Sequence, residues 1–324
     1  MNVDKIFEKY SGVNLSILPT PLHRLENISK LFNANVYCKR DDMTGFAFGG
    51  NKTRKLELLI ADAKNKKADV LIGIGGVQSN FCRIASAAGS AYGLDVHLVL
   101  GGSKKPLKAT GNLLLDNLFG AKTHFIESEN WTDWENYTKN LSNKLTKKGK
   151  RVYWMPIGGS NEVGALGYVK AFNEIMLDCK KMNLEFDYIF HATSSGGTQS
   201  GLVVGAKLNN WKGKIIGIGV SSEESLMKKY VIKLSSETGR LFKVDIKEED
   251  VIVDDNYLGK KYGAVTKAGI KAVELFAKRE GILLDYIYSG KAASGLLDYL
   301  RKGFFKKGEN ILFIHTGGNI HLFK

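Results

Sequence analysis

One lysine in this chain stands where a side-chain amine could become reactive. Lys52 follows the glycine pair Gly49-Gly50 and begins an amphipathic helical pattern that continues to Glu57. A lysine amine acts as a nucleophile or Schiff-base partner only when its pKa is depressed. We expect the neighbouring cations Arg54 and Lys55, with the positive end of the helix, to lower it. The same string also fits a glycine turn leading into a solvated basic first turn.

A second element, far down the chain, has the composition of an anion site. The turn Ser194-Ser195-Gly196-Gly197-Thr198-Gln199 lies between an apolar run at 188–190 and a helical stretch at 202–206. A strand, a glycine-rich turn and a helix start expose free backbone N–H groups and direct the helix dipole at one point. A phosphate is the expected ligand, although a serine-rich connector has the same composition. The turn lacks both the Walker A and the dinucleotide-binding patterns.

Apolar runs that alternate with helical patterns predict a parallel sheet covered by helices. The predicted strands lie at residues 70–74, 96–100, 188–190, 215–220 and 311–314. Ligands of open α/β sheets bind beyond the carboxyl ends of the strands. Four polar motifs stand at such ends: Gly75-Gly76 with Gln78-Ser79-Asn80, Gly158-Gly159-Ser160, the 194–199 turn, and His315-Thr316-Gly317-Gly318.

Together these motifs resemble, in type and order, pyridoxal-phosphate (PLP) enzymes of the tryptophan-synthase-β fold group. More narrowly, the chain resembles the branch of D-cysteine desulfhydrase and 1-aminocyclopropane-1-carboxylate (ACC) deaminase, from Thr20-Pro21-Leu22 almost to the end. The resemblance implies an α/β, two-lobed fold of open parallel sheets covered by helices, the fold-type II PLP architecture. A small domain, 54–161, is inserted into a large PLP-binding domain formed by 1–53 and 162–324. A homodimer is also implied.

The resemblance assigns a role to each motif. Lys52 forms the Schiff base with PLP and then acts as the base at the substrate Cα. The cofactor's ring hydroxyl binds Asn80, and its phosphate is held by Ser195, Gly196, Gly197 and Thr198. Ser79, with Gln78, Asn80 and Phe81, contacts a small amino-acid substrate and receives its carboxylate. Ser79-Asn80 also fits an ordinary helix N-cap, and both roles are compatible.

Tyr262 and Tyr288 match family positions that line the substrate, and Thr316 is expected to reach the pyridine nitrogen. His315 is expected to be structural. Departures from the family pattern affect substrate choice. The family's usual Gly-Tyr-Gly is Lys261-Tyr262-Gly263 here, Phe81 replaces a histidine usual in desulfhydrases, and Asn319-Ile320 replaces Ala-Pro.

Ser289 separates the two activities within the resemblance. ACC deaminases carry a glutamate at this position, which keeps the pyridine nitrogen protonated, whereas desulfhydrases carry a hydroxyl. A hydroxyl gives a weaker electron sink, which suits β-elimination with a good leaving group. We therefore expect a D-cysteine desulfhydrase-like lyase that yields pyruvate, ammonia and sulfide. Three alternatives stay open: ACC deaminase, a lyase for another β-substituted amino acid such as cysteate or chloroalanine, and a PLP-binding protein without turnover.

Composition agrees with a soluble enzyme. The 324 residues are 44% hydrophobic and 25% charged, with a net charge of +14, and the lysines are scattered without interleaved aromatic residues, which argues against a nucleic-acid partner. No apolar run is long enough to span a bilayer and no signal segment is evident, so the expected location is the cytoplasm. The three cysteines, Cys38, Cys82 and Cys179, are odd in number and widely spaced, which argues against a disulfide scaffold or a CxxC metal site.

Overall fold

The computed structural model describes residues 3–323 and contains two β-sheets, both flanked by helices. The strands are β1 Leu22–Arg24, β2 Asn35–Lys39, β3 Val70–Gly76, β4 Asp95–Gly101, β5 Lys122–Ile126, β6 Val152–Trp154, β7 Tyr188–Thr193, β8 Lys214–Gly219, β9 Ile252–Asp254 and β10 Asn310–Ile314. The helices are α1 Val3–Glu8, α2 Glu26–Phe32, α3 Asn51–Asn65, α4 Asn80–Ala91, α5 Gly111–Leu118, α6 Trp131–Lys147, α7 Glu162–Met182, α8 Gly197–Leu208, α9 Glu224–Arg240, α10 Lys267–Glu280 and α11 Ser289–Arg301.

The two sheets are built from separate stretches of chain. The six-stranded sheet has the order β1-β2-β10-β7-β8-β9 and is parallel except for β1, which pairs antiparallel with β2. The four-stranded sheet, β5-β4-β3-β6, is parallel throughout and uses residues 70–154. All five predicted strands are present, and the α/β architecture with parallel sheets is confirmed. The predicted domain boundaries at 53/54 and 161/162 stay a prediction.

The central strands are rich in apolar residues because helices cover both of their faces. In β3 every residue from Val70 to Gly75 is buried, as is typical of parallel sheets. Each of β3, β7 and β10 then runs into a polar or glycine-rich segment at its carboxyl end. These three ends bring the motifs at 75–80, 194–198 and 315–318 together.

Helix α3 is fixed against its neighbours by buried charges. Arg54, 2% exposed, forms ion pairs with Asp41 at 2.8 Å and with Glu174 of α7 at 2.9 Å. Lys39 of β2 pairs with the same Glu174 and with Asp178, each at 2.6 Å. Because buried charges are tolerated only when they are paired, this ionic cluster sets the position and rotation of the helix that carries Lys52.

Two further features bear on the sequence predictions. Within residues 3–323, no helix is both long and apolar enough to cross a membrane. Cys38, Cys82 and Cys179 are buried with free thiols.

Candidate active site

One cavity collects most of the side chains predicted from the sequence. It lies beyond the carboxyl ends of strands from both sheets, and the first turn of α3 also enters it. The predicted residues in its wall are Lys52, Ser79, Asn80, Phe81, Ser195, Gly196, Thr198, Tyr262, Tyr288 and Thr316. Gln78, Gly197 and Ser289 are outside this wall, although each is a chain neighbour of a residue in it.

Lys52 projects from the first turn of α3 into this cavity. Its Nζ donates to the carbonyl oxygen of Gly158 at 3.2 Å. Burial lowers the pKa of Lys52 to about 8, while its hydrogen bond with Lys55 acts in the opposite direction. The pKa is therefore depressed, but by burial and not by the cations expected to lower it. Arg54, two residues and about 200° further around the helix, points instead into the ionic cluster.

Lys55 is a site residue that the sequence analysis did not single out. Its Nζ is fully buried and donates to the Gly158 carbonyl at 3.3 Å and to Ser160 Oγ at 3.2 Å. Burial, and secondarily the nearby Lys52, lowers the pKa of Lys55 well below its usual value. Lys55 could have been identified from the sequence, because Lys52 and Lys55 are spaced i, i+3 and so share a helix face. An anion bound beside Lys55 would stabilise the protonated, charged form of its amine.

The start of α8 forms the cradle beside these lysines. Gly196 caps the helix with a φ of +80°, which favours glycine. Ser160 Oγ lies 2.7 Å from Ser195 Oγ and accepts the Gly197 N–H at 3.3 Å. A Cβ on Gly197 would lie 2.5 Å from Lys55 Nζ. The cradle thus offers helix-start N–H groups, two hydroxyls and a lysine, the donor set that fits a phosphate.

The segment after β3 supplies the opposite wall. Ser79 is the N-cap of α4, with its Oγ accepting the Cys82 N–H at 3.2 Å, and it also lines the cavity. Both predicted roles are therefore geometrically compatible, since the hydroxyl hydrogen can still be donated. The Asn80 carboxamide oxygen accepts from Arg83 Nη1 at 2.8 Å and from Asn112 Nδ2 at 3.0 Å.

Gln78 is directed away from this cavity, whereas Phe81 lies in its wall. The Gln78 amide donates to the Thr110 carbonyl at 3.1 Å, and its oxygen accepts the Asn112 N–H at 2.9 Å. Gln78 therefore fixes the start of α5 through these two hydrogen bonds. It lines a second cavity, of about 680 Å³, next to the first. The Phe81 ring is 1% exposed and packs beneath Gly159, at the cavity floor.

Two tyrosines with adjacent hydroxyls line the cavity. The hydroxyls of Tyr262 and Tyr288 are 2.5 Å apart. Burial raises the pKa of both phenols, and for Tyr288 the neighbouring Tyr262 raises it further. Trp131 of α6, which the sequence analysis missed, contacts the Tyr262 ring edge to face with centroids 6.5 Å apart. Trp131 lines both cavities.

Ser289, Thr316 and His315 differ in their access to the cavity. The Ser289 hydroxyl donates to Asp285 Oδ1 at 2.7 Å and accepts the Asp285 N–H at 2.9 Å, facing the turn before α11. Thr316 lines the cavity, and its carbonyl accepts the Asn51 N–H at 3.0 Å. His315 is structural: Nε2 donates to the Leu283 carbonyl at 2.8 Å and Nδ1 accepts the Gly317 N–H at 3.2 Å.

A lysine beside a phosphate-type cradle, between two parallel sheets, defines a fold-type II PLP enzyme. The sequence profile of the pyridoxal-phosphate dependent enzyme family matches residues 13–317, and the chain belongs to this family. A solved structure described as an ACC deaminase homologue superposes with a TM-score of 0.90 at 37% identity, covering 98% of this chain and 95% of the other. The predicted cofactor, pyridoxal phosphate, is confirmed by this membership.

Two curated relatives narrow the class of reaction. A protein of Serratia proteamaculans named D-cysteine desulfhydrase is 35% identical, covering 100% of this chain and 98% of its own. An Arabidopsis thaliana protein named as a bifunctional, mitochondrial D-cysteine desulfhydrase and ACC deaminase is 38% identical, covering 96% of this chain and 79% of its own. The predicted resemblance is confirmed. The chain is a PLP-dependent lyase, and β-elimination is supported as its chemistry while the substrate is left open.

Proposed function

We propose that this protein converts D-cysteine and water into pyruvate, ammonia and hydrogen sulfide. The observation that carries the proposal is the cavity wall, which among residues 3–323 contains lysine, hydroxyl, amide and aromatic side chains but no carboxylate. Without a carboxylate, nothing in the wall keeps a pyridine nitrogen protonated. The names of the relatives support the same reaction and also the first alternative, ACC deamination.

In this proposal each group of residues around the cavity has a separate role. PLP, when bound, supplies the electron sink for a carbanion at Cα. Lys55, the α8 N-terminus and the 194–198 turn bind its phosphate, and Asn80 donates to its ring oxygen. The Ser79 hydroxyl binds the substrate carboxylate and so orients the Cα–H bond. The Lys52 amine, with its pKa of about 8, is the free base in about a tenth of the molecules at pH 7 and in roughly half near pH 8. In that form it takes the Cα proton.

In this proposal the hydroxyl pair of Tyr262 and Tyr288 donates a hydrogen bond to the leaving group. Both phenols are protonated at neutral pH, since their ordinary pKa is 10.0 and burial raises it further. One hydrogen bridges the two oxygens, so the other is available to the departing sulfur. Expulsion of sulfide relieves the carbanion quickly, which a weak electron sink requires.

Ser289 contributes to the proposal by its residue type. Its hydroxyl lies outside the cavity wall and is bonded to Asp285, so Thr316 is the hydroxyl residue in the wall on that side. A hydroxyl can hydrogen-bond a neutral pyridine nitrogen but does not balance a pyridinium charge. The Thr316 hydroxyl therefore favours β-elimination over the opening of a cyclopropane ring. Ser289 adds only that no carboxylate stands at its position.

The test is a keto-acid release assay with both enantiomers of cysteine, serine, cysteate and chloroalanine, and with ACC. We expect D-cysteine to give the highest kcat/KM and to release sulfide and pyruvate in equal amounts. Faster turnover of ACC than of D-cysteine would overturn the proposal in favour of ACC deamination. Release of no keto acid from any substrate by PLP-loaded protein would indicate a PLP-binding protein without turnover.

The role of Lys52 is tested by Lys52→Ala. We expect a folded protein that no longer shows the cofactor's Schiff-base absorbance and has lost almost all activity, because the amine both holds the cofactor and moves the proton. Lys64→Ala, on the exposed side of the same helix, is the control and should retain both. Full activity of Lys52→Ala without added amine would refute the assignment.

A further inference from the structure

We propose that Arg83 is a positioning residue that turns the Asn80 carboxamide so that its NH₂ group, and not its oxygen, faces the cavity. The inference deepens the site of the proposed function and rests on the role proposed there for Asn80. Arg83 lies on the first turn of α4 and is 1% exposed. Its Nη1 donates to Asn80 Oδ1 at 2.8 Å.

The chemistry of the guanidinium determines which atom of Asn80 it meets. Arginine has only donors, so the Asn80 atom in contact with it must be the carboxamide oxygen. Asn112 confirms the orientation from a second side, because its Nδ2 donates to the same oxygen at 3.0 Å.

The orientation of Asn112 is itself settled by its other partners. Its Nδ2 also donates to the Gln78 carbonyl oxygen at 2.8 Å, which only accepts. Its Oδ1 accepts from Arg83 Nη1 at 2.7 Å, and Arg83 only donates. Both amides are therefore fixed by groups of unambiguous type. With its oxygen engaged twice, Asn80 presents two N–H donors to the cavity, and the site selects a ligand with an acceptor oxygen at that point.

Arg83 also links Asn80 to the loop before the reactive lysine. Its Nη2 donates to the carbonyl oxygen of Gly49 at 2.8 Å, and Gly49 lies three residues before Lys52. The loop packs closely at this point, since a Cβ on Gly49 would clash with the Asp42 carbonyl oxygen. One guanidinium thus sets the distance between the donor of Asn80 and the amine of Lys52, which must contact different parts of a single cofactor ring.

The matching group on the cofactor is its ring hydroxyl oxygen, which allows a test on binding without turnover. Apoprotein is titrated with PLP and with 3-deoxypyridoxal phosphate, which lacks that oxygen, and the ratio of the two Kd values is the preference for the oxygen. The variants are Arg83→Met, which removes the donors and keeps the length of the side chain, and Asn80→Asp. Arg240→Met, at the exposed end of α9, is the matched control.

We expect the wild type and Arg240→Met to prefer PLP, and Arg83→Met to lose at least tenfold of that preference, about 1.4 kcal/mol. A purely structural role would weaken both ligands equally and leave the ratio unchanged. Asn80→Asp still accepts from Arg83 and should fold, but it presents only acceptors and should abolish or invert the preference. This variant decides the matter if Arg83→Met does not fold.

An unchanged ratio in folded Arg83→Met would overturn the inference. An unchanged ratio in Asn80→Asp, or a wild type without preference, would do the same. None of these outcomes bears on whether D-cysteine is the substrate, because that is read from keto-acid release. Conversely, an ACC deaminase with the same cavity should show the same ratios, so the two proposals fail independently.

Discussion

The hydroxyl oxygens of Tyr262 and Tyr288 lie 2.5 Å apart although the residues are 26 positions apart in the chain. Tyr262 is on the loop before α10 and Tyr288 is the N-cap of α11, where its N–H donates to Asp285 at 2.8 Å. Trp131 contacts Tyr262 on one side, and the ring of His321 packs edge to face on Tyr288. Contacts from three separate segments therefore hold the two phenols against each other in the cavity wall.

Removing either hydroxyl should reduce turnover more than cofactor binding. We expect Tyr288→Phe to lower kcat on D-cysteine about 100-fold, in the range of general acid–base contributions, with a change in PLP affinity below threefold. Tyr262→Phe should cost less, because Tyr288 keeps its hydroxyl. The measurements are sulfide release and PLP titration, with Tyr137→Phe, distant on α6, as control. Equal losses of PLP affinity and kcat would contradict a role confined to the substrate.

Lys55 should contribute to binding of the cofactor's phosphate and not to formation of the Schiff base. We expect Lys55→Met to weaken PLP binding at least tenfold, about 1.4 kcal/mol, while the bound fraction keeps the absorbance that Lys52→Ala loses. Gly197→Val should weaken binding by a similar factor, because its side chain would occupy the space beside Lys55 Nζ. Cofactor titration measures both. Unchanged affinity in both variants would place the phosphate elsewhere.

The ionic cluster should make folding stability depend on pH in the acid range. Burial of Glu174 opposes ionisation, but the bonds from Arg54 and Lys39 prevail and lower the pKa of Glu174 to about 2. Since its ordinary pKa is 4.5, the stabilisation is present above about pH 5 and is lost as the pH falls toward 2. Glu174→Gln should lower the free energy of unfolding at pH 7 by on the order of 3 kcal/mol.

Denaturant titration from pH 7 to pH 3 measures this effect. The difference between wild type and Glu174→Gln should shrink as the pH falls. Glu135→Gln, exposed on α6, should change nothing. A difference that stays constant across this pH range would show that Glu174 acts through packing and not through its charge.

Asp116 should have the opposite dependence on pH. Burial raises the pKa of this carboxyl to about 7, against smaller opposing effects of Ser86 and Arg83. Between its ordinary pKa of 3.8 and pH 7 the folded protein holds a proton that the unfolded chain releases, so stability falls as the pH rises through that range.

Asp116→Asn removes this titration and keeps an oxygen for the Ser86 hydroxyl, which donates to Asp116 at 2.8 Å. We expect the variant to be more stable than wild type at pH 8, by on the order of 3 kcal/mol, and nearly equal to it at pH 4. Thermal unfolding at the two pH values is sufficient to measure this. Asp245→Asn, at an exposed position, serves as the control, and a destabilised Asp116→Asn at pH 8 would contradict the prediction.

The sheets were predictable because their strands carry strong local signals. Val70–Gly76 is an apolar run that ends in two glycines, and β7 begins with the apolar run 188–190. Parallel strands covered on both faces have this composition. The pairing order was not predictable from such runs. Nothing in the sequence of β10 alone shows that it pairs with β2 and β7.

The candidate site was predictable where a residue acts through its own backbone position. Lys52, Ser79 and Thr198 each sit at a helix start, and a helix start directs them toward the strand ends. Gln78 and Ser289 failed to reach the cavity because polar partners outside it, the 110–112 backbone and Asp285, engage their side chains. Which partner a polar side chain binds depends on contacts across the fold. The spacing of residues along the sequence does not reveal these contacts.

The cavity wall takes residues from the carboxyl ends of strands in both sheets. Gly75, Gly76 and Ser79 are at such an end in one sheet, and Ala192, Thr193 and Thr316 are at such ends in the other. A molecule bound there forms contacts that are broken if either half of the chain melts. Loading the cofactor therefore couples the melting of the two halves, since binding to the native form alone raises its stability. In calorimetry, holoprotein should melt in one sharp transition, and stripping the cofactor should broaden that transition or split it in two.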